Sequence, residues 1–581
     1  MNQSDTTCKL PPDTGTSPPV TPESRVDETQ APCESSWFPP LRLHPLILTT
    51  VLAFVYLTTA YLPYDYRRIW ESLALSIEQL RATGDWAMLA HKPYSLGNLF
   101  IHTLHQAGGL ELVGFVYTIL FTLTATILYL ALRRRVVQAP WATAMVVCWF
   151  LLSTEVSKSP GTHIIGPLFL STLLLGASLV PTRRHPLFWA PLVMAIWANT
   201  DPSMIWGAIA MVFMWGNHLL TRFENPLRQL TPRRRRESAR FLLFTILTLL
   251  GAFCSPSSWQ GLLSSLVHAG GSPRWLQPFD ITTVAGSMFF SALVATAFIL
   301  SRSQLPWKKG DAVLLMLASA VTLRNINLLP LWGVVWAWAI VPHCQGLAPT
   351  LLRQKKSLPK MSRTLTAMAL ALVALTWSPA SGRWLQRRSA SDATLADGQV
   401  PIYLADFLVN KRLAGATFAP VDWSDYLAWQ SSRQDSSREI APGRVTPQGV
   451  TLFTPFSQSS VYTHHISRND YNALSSGNLR WLDIADHHGL RYLVLSRAKN
   501  RVLSLEVQKN KRCRILYQDQ KTLLVELLRP YLATMASNSN GITPGHGNRI
   551  PAANVSETPN NCSKQHFRNA SIQTATPLRS N

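Results

Sequence analysis

The stretch LVMAIWANTDPSMIWGAIAMV, residues 192–212, places an amide and a carboxylate, Asn199 and Asp201, inside a long apolar block. The whole block covers residues 186–220, and as a single helix it would be roughly 50 Å long at ~1.5 Å per residue. That length exceeds the ~30 Å hydrocarbon core of a bilayer, so the chain has to turn back. Pro202 disfavours helical geometry at Asp201 and predicts the turn at that point.

The basic residues around this block indicate on which side of the membrane the turn lies. Arg183 and Arg184 precede the block, and the run RRRR at 233–236 follows it. Because Lys and Arg concentrate in cytoplasmic loops, both ends of the block are predicted to be cytoplasmic. Asn199 and Asp201 are therefore predicted to lie at the extracytoplasmic face.

The same reasoning, applied to the whole chain, predicts an α-helical polytopic membrane protein with about eleven transmembrane helices. The loops predicted to be cytoplasmic hold twenty Lys and Arg, whereas the outer loops hold six. This alternation puts the N-terminus in the cytoplasm and the C-terminus outside. The predicted spans lie near residues 46–63, 111–131, 139–153, 163–181, 186–199, 202–220, 241–255, 283–301, 310–324, 326–342 and 364–379.

Four regions follow from the composition along the chain. Residues 1–44 form a polar cytoplasmic tail and 530–581 a second polar tail, and both are predicted to be disordered. Between them, 45–380 is the helical membrane domain, and 382–529 is predicted to be a small extracytoplasmic α/β domain. Its predicted elements are strands at IYL402–404, TLF451–453, RYLVLS491–496, RILYQ514–518 and LLVEL523–527, and a helix at VDWSDYLAWQ421–430.

The composition also excludes several functions. The chain has 581 residues and a net charge of +23, but its basic residues fall in short runs between apolar blocks, so the charge indicates topology rather than nucleic-acid binding. The seven cysteines lie far apart without a C-x-x-C pair, which argues against a disulfide framework and a zinc site. The sequence contains no P-loop, zincin or G-x-S-x-G motif.

Asp65 is the first candidate for chemistry. It follows the first predicted span directly, in LPYDYRRIWESL at 62–73, and the loop behind it has an amphipathic helical pattern at 70–80. A carboxylate at this place can accept a proton from a sugar hydroxyl or anchor a cation. The alternative is an interfacial charge paired with Arg67 or Arg68.

The turn in the opening stretch offers a second set of candidates. Asn199 and Asp201 suit a hydroxylated or phosphorylated head group, and Trp197 and Trp206 suit stacking against sugar faces. The alternative is a solvated turn with an aromatic belt, which is common at membrane interfaces, and the spacing alone favours it.

Arg324 is the third candidate, because it lies at the predicted outer end of a span, against the positive-inside bias. A guanidinium in this place suits bidentate binding of a lipid phosphate. The alternative is a side chain that extends to the interface to keep its charge in water.

These residues resemble a known arrangement. Asp65 resembles the acid that the GT-C class of polytopic glycosyltransferases bears in its first outer loop. The chain also resembles a related family of uncharacterised bacterial multi-pass proteins. That family has a W-x-N-x-H-G-G turn, an Arg before an L-P span, and an outer domain that opens with W/G-x-Y-L. The matching residues over about 45–527 are Trp197, Asn199, Asp201 and Gly207; Arg324, Leu329 and Pro330; and Trp423, Asp425, Tyr426 and Leu427.

The resemblance implies a transferase in the bacterial inner (plasma) membrane that uses a polyprenyl-phosphate-linked sugar as donor and an envelope glycan, lipid or protein as acceptor. It implies that Asp65 deprotonates the acceptor and that Arg324 holds the donor phosphate. The sequence departs from the pattern where Asp201-Pro202-Ser203 replaces His-Gly-Gly and where Tyr66 follows Asp65 in place of a second acid. These departures argue against a divalent metal.

A non-catalytic function is the rival hypothesis: a transporter, or an envelope assembly or binding factor whose outer domain holds a partner. A transporter is expected to carry polar or broken helices near the middle of the bilayer. The unusual polar residues of this sequence are instead predicted at the outer face, which favours surface chemistry or binding.

Overall fold

The computed structural model describes residues 45–61, 64–66, 69–76, 95–136, 139–158, 160–161, 164–181, 183–201, 203–223, 232–254, 279–344, 369, 372–373, 399–436, 450–454 and 463–528. The N-terminal part of these is helical, with a further helical stretch at 69–76 and a short 3-10 helix at Ile326–Leu328. The longer helices are α1 (Pro45–Ala60), α2 (Ser95–Arg135), α3 (Ala139–Ser157), α4 (Ile165–Leu179), α5 (Pro186–Thr200), α6 (Met204–Phe223), α7 (Pro232–Ala252), α8 (Val284–Arg302), α9 (Lys309–Arg324) and α10 (Leu329–Ile340).

The positions of ten of the predicted spans are confirmed as helices, including the break between α5 and α6 at Asp201, whose backbone is extended. The helices differ from the predicted spans at their ends: α2 begins well before residue 111, and α7 begins at Pro232, inside the predicted cytoplasmic loop. The eleventh predicted span, 364–379, lies outside the described residues except for positions 369, 372 and 373. The count of eleven therefore stays a prediction.

Two of the described helical segments, Leu96–Arg135 and Val284–Arg302, are long and apolar enough to cross a membrane, and five further apolar helices are shorter. A helix of 15 residues such as α4 is about 22 Å long, less than the ~30 Å hydrocarbon core. Large apolar side chains point outward from several helices, for example Phe188 on α5, which is 80% exposed, and Phe298 on α8. An outward apolar surface of this kind suits contact with lipid.

A kink divides α2 just before its predicted span. Gly108 and Gly109 leave helical geometry, and Gly109 has φ 64° and ψ −163°, a backbone conformation that is essentially restricted to glycine. The segment that precedes the kink was predicted as part of the outer loop. The kink lets this segment take a different direction from the part of the helix that is predicted to span the membrane.

Contacts between loops bring several helix ends together, and we call this place the Asp65 end. The backbone N–H of Asp65, after α1, donates to the carbonyl of Lys158, after α3, at 2.5 Å. A Cβ at Gly166, in the first turn of α4, would lie 2.5 Å from the Ser203 hydroxyl in the turn between α5 and α6 and 3.3 Å from Leu331 in α10. The Asp65 loop and the Asp201 turn therefore share one end of the bundle.

A buried polar cluster holds the opposite end, which we call the Asp311 end. Asp311, in the first turn of α9, forms an ion pair with Arg135 and accepts a hydrogen bond from the Asn217 side chain at 3.0 Å. The N–H of Gly310 donates to the side-chain oxygen of Asn217 at 2.6 Å, and the Arg135 guanidinium lies 4.4 Å from the centre of the Trp338 ring. Helices α2, α6, α9 and α10 meet here. Which side of the membrane each end faces stays a prediction.

The C-terminal part of the described chain is an α/β domain with a six-stranded sheet of order β3-β2-β1-β4-β6-β5. Strands β1 to β4 pair in parallel, and β6 pairs antiparallel with both β4 and β5. Its elements are α11 (Ile402–Asn410), β1 (Gly415–Phe418), α12 (Val421–Ser436), β2 (Val450–Thr454), β3 (Thr463–His465), α13 (Arg468–Ser476), α14 (Trp481–His487), β4 (Tyr492–Ser496), α15 (Arg501–Lys509), β5 (Cys513–Gln518) and β6 (Thr522–Leu527).

The predicted α/β character of this domain is confirmed, and four of its five predicted strands correspond to β2, β4, β5 and β6. The strand predicted at 402–404 is wrong, because these residues begin the helix α11. A three-residue apolar run is too short to distinguish the periodicity of a helix from that of a strand. The buried side chains of this segment, Leu404, Ala405 and Leu408, follow helical spacing. The short strands β1 and β3 were not predicted.

The sheet has a distinct apolar core on each face. Val494 and Leu524 lie in the same buried cluster as residues of the helical bundle, whereas the alternate residues Leu493 and Val525 pack in a second cluster with α13, α14 and α15. Alternation along each strand produces these two faces. The domain thus packs on the helical part through one side of its sheet.

Candidate active site at the Asp65 end

The backbone on both sides of Asp65 is held by a side chain from the start of the α/β domain. The Gln399 amide nitrogen donates to the carbonyl of Tyr64 at 2.7 Å, and the Gln399 amide oxygen accepts from the N–H of Tyr66 at 2.9 Å. Together with the bond from Asp65 to Lys158, these contacts fix three successive residues. The half-buried Asp65 carboxylate is therefore carried on a constrained loop rather than a free one.

The two tyrosines that flank Asp65 pack on α2. The Tyr64 hydroxyl and the Thr118 hydroxyl are 2.8 Å apart. A Cβ at Gly114 would lie 3.2 Å from the Tyr66 hydroxyl and 3.3 Å from the Tyr64 ring, so the glycine leaves room for both side chains. The Asp65 loop is thus seated on a helix as well as on Gln399.

The Asp201 turn is closed by a buried chain of hydrogen bonds. The Trp197 indole N–H donates to the Ser203 hydroxyl at 3.1 Å, and that hydroxyl donates to an Asp201 carboxylate oxygen. The same oxygen accepts from the Ser203 N–H at 3.0 Å, and Asp201 is only 2% exposed. Asp201 therefore closes an Asx-type turn between α5 and α6, in which its side chain accepts from the backbone N–H two residues later.

The other predicted binding residues of this turn also make internal contacts. The Asn199 amide donates to the Ala195 carbonyl of its own helix at 2.8 Å. Trp197 is fully buried, and its ring lies against Gly207, where a Cβ would come within 2.4 Å. Trp206 is buried as well, 4% exposed. These contacts favour a structural role for the turn, and ligand binding by its residues stays a prediction.

The Asp65 loop and the Asp201 turn both approach the same residue of α2. Tyr117, next to Thr118 in α2, lies near both Asp201 and Tyr64. The structure thus brings two of the predicted site segments to one place.

Arg324 is the last residue of α9 and is exposed. Among the residues that the structure describes, it forms no ion pair and no side-chain hydrogen bond. Its neighbour Asn325 is buried and accepts from the N–H of Asn327 at 3.2 Å, which begins the link to α10. Since α10 begins near Gly166 and Ser203, Arg324 belongs to the Asp65 end.

An aromatic cluster joins the helical stretch 69–76 to the α/β domain. The ring of Trp70 lies 4.7 Å from Trp429 and 4.8 Å from Tyr426, both on α12, and His105 on α2 lies 5.6 Å from Trp429. Edge-on and tilted contacts of this kind add to the apolar burial. Nothing in the local sequence indicated this cluster or the Gln399 contacts, because both join segments more than three hundred residues apart.

Other predictions about this site fall on undescribed residues. Arg67 and Arg68, the proposed partners of Asp65, and Pro202 lie outside the part of the chain that the structure describes. Within that part, no three His, Cys, Asp or Glu side chains come together in a group that could hold a metal ion.

Comparison with known proteins gives similarity at the level of fold. No family model matches the chain, and no curated protein matches it. The chain is similar to the apo oligosaccharyltransferase of Archaeoglobus fulgidus, with a TM-score of 0.44 and 12% identity over 79% of this chain and 70% of that one. It is also similar to AglB from Archaeoglobus fulgidus in complex with an inhibitory peptide and a dolichol-phosphate, with a TM-score of 0.43 and 12% identity over 84% and 74%.

A third similar structure is ArnT from Cupriavidus metallidurans bound to undecaprenyl phosphate, with a TM-score of 0.42 and 11% identity over 82% of this chain and 97% of that one. These solved structures are of GT-C glycosyltransferases, the class that the sequence resembles. At this identity the likeness concerns the fold alone, so every residue role below rests on the contacts of this chain.

Proposed function

We propose that the chain is a membrane glycosyltransferase that moves a sugar from a polyprenyl-phosphate-linked donor to an envelope acceptor at the outer face of the membrane. The observation that carries this proposal is the placement of Asp65. The carboxylate lies where the helical bundle meets the α/β domain, on a loop fixed by Gln399 and Lys158. A lipid-linked donor reaches this place from the bilayer, and a water-borne acceptor reaches it from the domain side.

The proposed reaction uses Asp65 as a general base. The carboxylate takes the proton of an acceptor hydroxyl while the oxygen forms a bond to the anomeric carbon of the donor sugar. The bond between that carbon and the phosphate oxygen breaks, and the polyprenyl phosphate leaves with the electron pair. Attack opposite the leaving group inverts the anomeric configuration.

Arg324 is proposed to bind the phosphate that leaves. Negative charge builds on the phosphate oxygens as the bond to the sugar breaks, and a guanidinium can meet two of them at once. Its exposure at the Asp65 end, with no ion pair to any described residue, suits this role. Asn199, Asp201 and Trp197 are proposed to support the site by keeping the neighbouring turn in shape.

The test is the replacement Asp65→Asn, which keeps the size of the side chain and removes its charge. In a host strain that lacks the gene, the wild-type chain should restore the mass of the missing sugar in envelope glycans or lipids. Asp65→Asn should lower transfer by about 10²–10⁴-fold at an unchanged protein level. The matched control Asp483→Asn changes an exposed aspartate on α14 and should restore transfer fully.

Full transfer by Asp65→Asn would contradict the role of Asp65 as base. No mass difference between the deletion strain and its parent would favour the rival function, a transporter or an envelope assembly factor.

A further inference from the structure

The α/β domain contains a cavity of about 250 Å³ between α11, α12 and the turn that joins β5 to β6. Its lining includes Pro401, Tyr403, Trp423, Asp519, Gln520 and Lys521. Pockets for drug-sized ligands usually measure about 300–1,000 Å³, so this one suits a smaller ligand.

One wall of the cavity is a carboxylate in a fixed orientation. An Asp519 oxygen accepts from the N–H groups of Lys521 at 2.7 Å and Thr522 at 2.5 Å, and its second oxygen accepts from the Tyr517 hydroxyl at 3.0 Å. Burial opposes its ionisation, but the bonds from Thr522, Lys521 and Tyr517 outweigh it and hold the pKa of Asp519 below its usual value. Since an ionised carboxylate offers about four acceptor positions, it can still accept from a ligand.

Two aromatic side chains also line the cavity. Tyr403, in the first turn of α11, is 71% exposed, and Trp423, in α12, is half-buried. Among the described residues, neither side chain has a hydrogen-bond partner. Large aromatic surfaces left open at a cavity favour a ligand with an apolar face.

A sugar ring matches both the aromatic and the polar lining of the cavity. A pyranose presents C–H groups on its faces and hydroxyl groups around its edge. The faces suit Trp423 and Tyr403, and the edge suits the Asp519 carboxylate and the Gln520 amide, which can both donate and accept. The charges of Asp519 and Lys521 cancel, which favours a neutral sugar over an acidic one.

The cavity also lies beside the proposed active site along the chain. Pro401 follows two residues after Gln399, whose side chain brackets Asp65. We propose that this cavity binds a neutral hexose or N-acetylhexosamine unit of the acceptor. The assignment of this sugar to the acceptor rests on the proposed function, whereas sugar binding by the cavity does not.

The test measures sugar binding by the full chain in lipid nanodiscs, by saturation-transfer NMR and titration with methyl glycosides of glucose, galactose, mannose, N-acetylglucosamine and glucuronic acid. At least one neutral glycoside should bind, and Trp423→Ala and Tyr403→Ala should each weaken that binding about tenfold or more. The control Leu505→Ala changes an exposed apolar residue on α15 and should leave the binding unchanged.

Two results would overturn the inference: no neutral glycoside binds, or the folded Tyr403→Ala and Trp423→Ala variants both bind as the wild type does. A preference for the glucuronide would overturn the choice of a neutral sugar. Tyr403 is exposed, so its variant is expected to fold even where Trp423→Ala is unstable.

The same measurement separates this inference from the proposed function. Asp65→Asn should bind the glycoside as the wild type does while losing transfer. If the glycoside binds but Asp65→Asn has no effect on transfer, the role of Asp65 as base is contradicted and sugar binding by the cavity is supported. If Asp65→Asn loses transfer but no glycoside binds, only sugar binding by the cavity is contradicted.

Discussion

Gln399 forms hydrogen bonds to the backbone on both sides of Asp65, although it lies in a distant part of the sequence. Its amide donates to the carbonyl before Asp65 and accepts from the N–H after it, at 2.7 and 2.9 Å, across a separation of 333 residues between Gln399 and Tyr66. A primary amide carries its donor and its acceptor on separate atoms and so satisfies both backbone groups at once, which an ionised carboxylate, an acceptor only, does not. The α/β domain therefore determines the shape of the loop that carries the proposed base.

Gln399→Ala is expected to reduce transfer by about 10–100-fold, because small displacements of a reacting group have effects of this size. The two lost hydrogen bonds, at about 0.5–1.5 kcal/mol each, should lower the melting temperature only modestly. The measurement compares transfer rate and thermal unfolding of the full chain. Gln508→Ala, an exposed glutamine on α15, is the control. Normal transfer by Gln399→Ala would show that Asp65 does not depend on this contact.

The Trp197 ring is expected to stabilise the fold by packing. Two glycines of α6 provide a matched pair of variants to test this. In α6, a Cβ at Gly207 would lie 2.4 Å from the Trp197 ring, whereas a Cβ at Gly216 would meet nothing within 4 Å. Gly207→Ala should destabilise by about 1–3 kcal/mol through overpacking. Gly216→Ala should be neutral or stabilising, since alanine favours helix by about 1 kcal/mol over glycine. Equal melting temperatures for the two variants would mean that Trp197 moves freely, as a ligand-binding ring would.

The ion pair at the Asp311 end gives a third prediction. Both side chains are largely buried, Arg135 at 12% and Asp311 at 3% exposure. Removing one partner of a buried pair costs about 3–5 kcal/mol, because the other charge is left without compensation. Asp311→Asn should therefore lower the unfolding temperature strongly, and Asp311→Leu combined with Arg135→Met should recover most of it.

Arg133 supplies the control, because it belongs to the same basic run but forms no ion pair with a described residue. Arg133→Met should leave the unfolding temperature nearly unchanged. A similar loss for Arg133→Met and Asp311→Asn would indicate that total charge, and not this pair, stabilises the end of the bundle.

The sequence predicted features that depend on local pattern and length. The turn at Asp201 follows from a block too long for one span, and β4 follows from the apolar run YLVL at 492–495, all of which the structure buries. Residues 402–404 were misjudged because three apolar residues cannot define a period. In the sequence, Arg135 is one of the basic residues that indicate topology, whereas in the structure it pairs with Asp311, 176 residues away. Contacts at such separations, including those of Gln399, leave no pattern in the local sequence. They can be identified only from the folded structure.

Tyr517 gives the last prediction, which concerns alkaline pH. Burial, followed by the hydrogen bond to Asp519 and its negative charge, raises the pKa of Tyr517 to about 12. An unfolded tyrosine ionises near pH 10, so the folded state holds the phenolic proton more tightly than the unfolded state does. The stability that this group contributes is therefore complete below about pH 10 and is lost as the pH rises towards about 12.

Thermal unfolding of the wild type and of Tyr517→Phe between pH 9 and 12 measures this contribution. The wild type should be the more stable protein at pH 9, because phenylalanine cannot donate to Asp519. Above pH 10 its melting temperature should fall more steeply than that of Tyr517→Phe, so that the two curves converge. Parallel curves over this range would mean that the pKa of Tyr517 is the same in the folded and the unfolded protein, which would contradict the prediction.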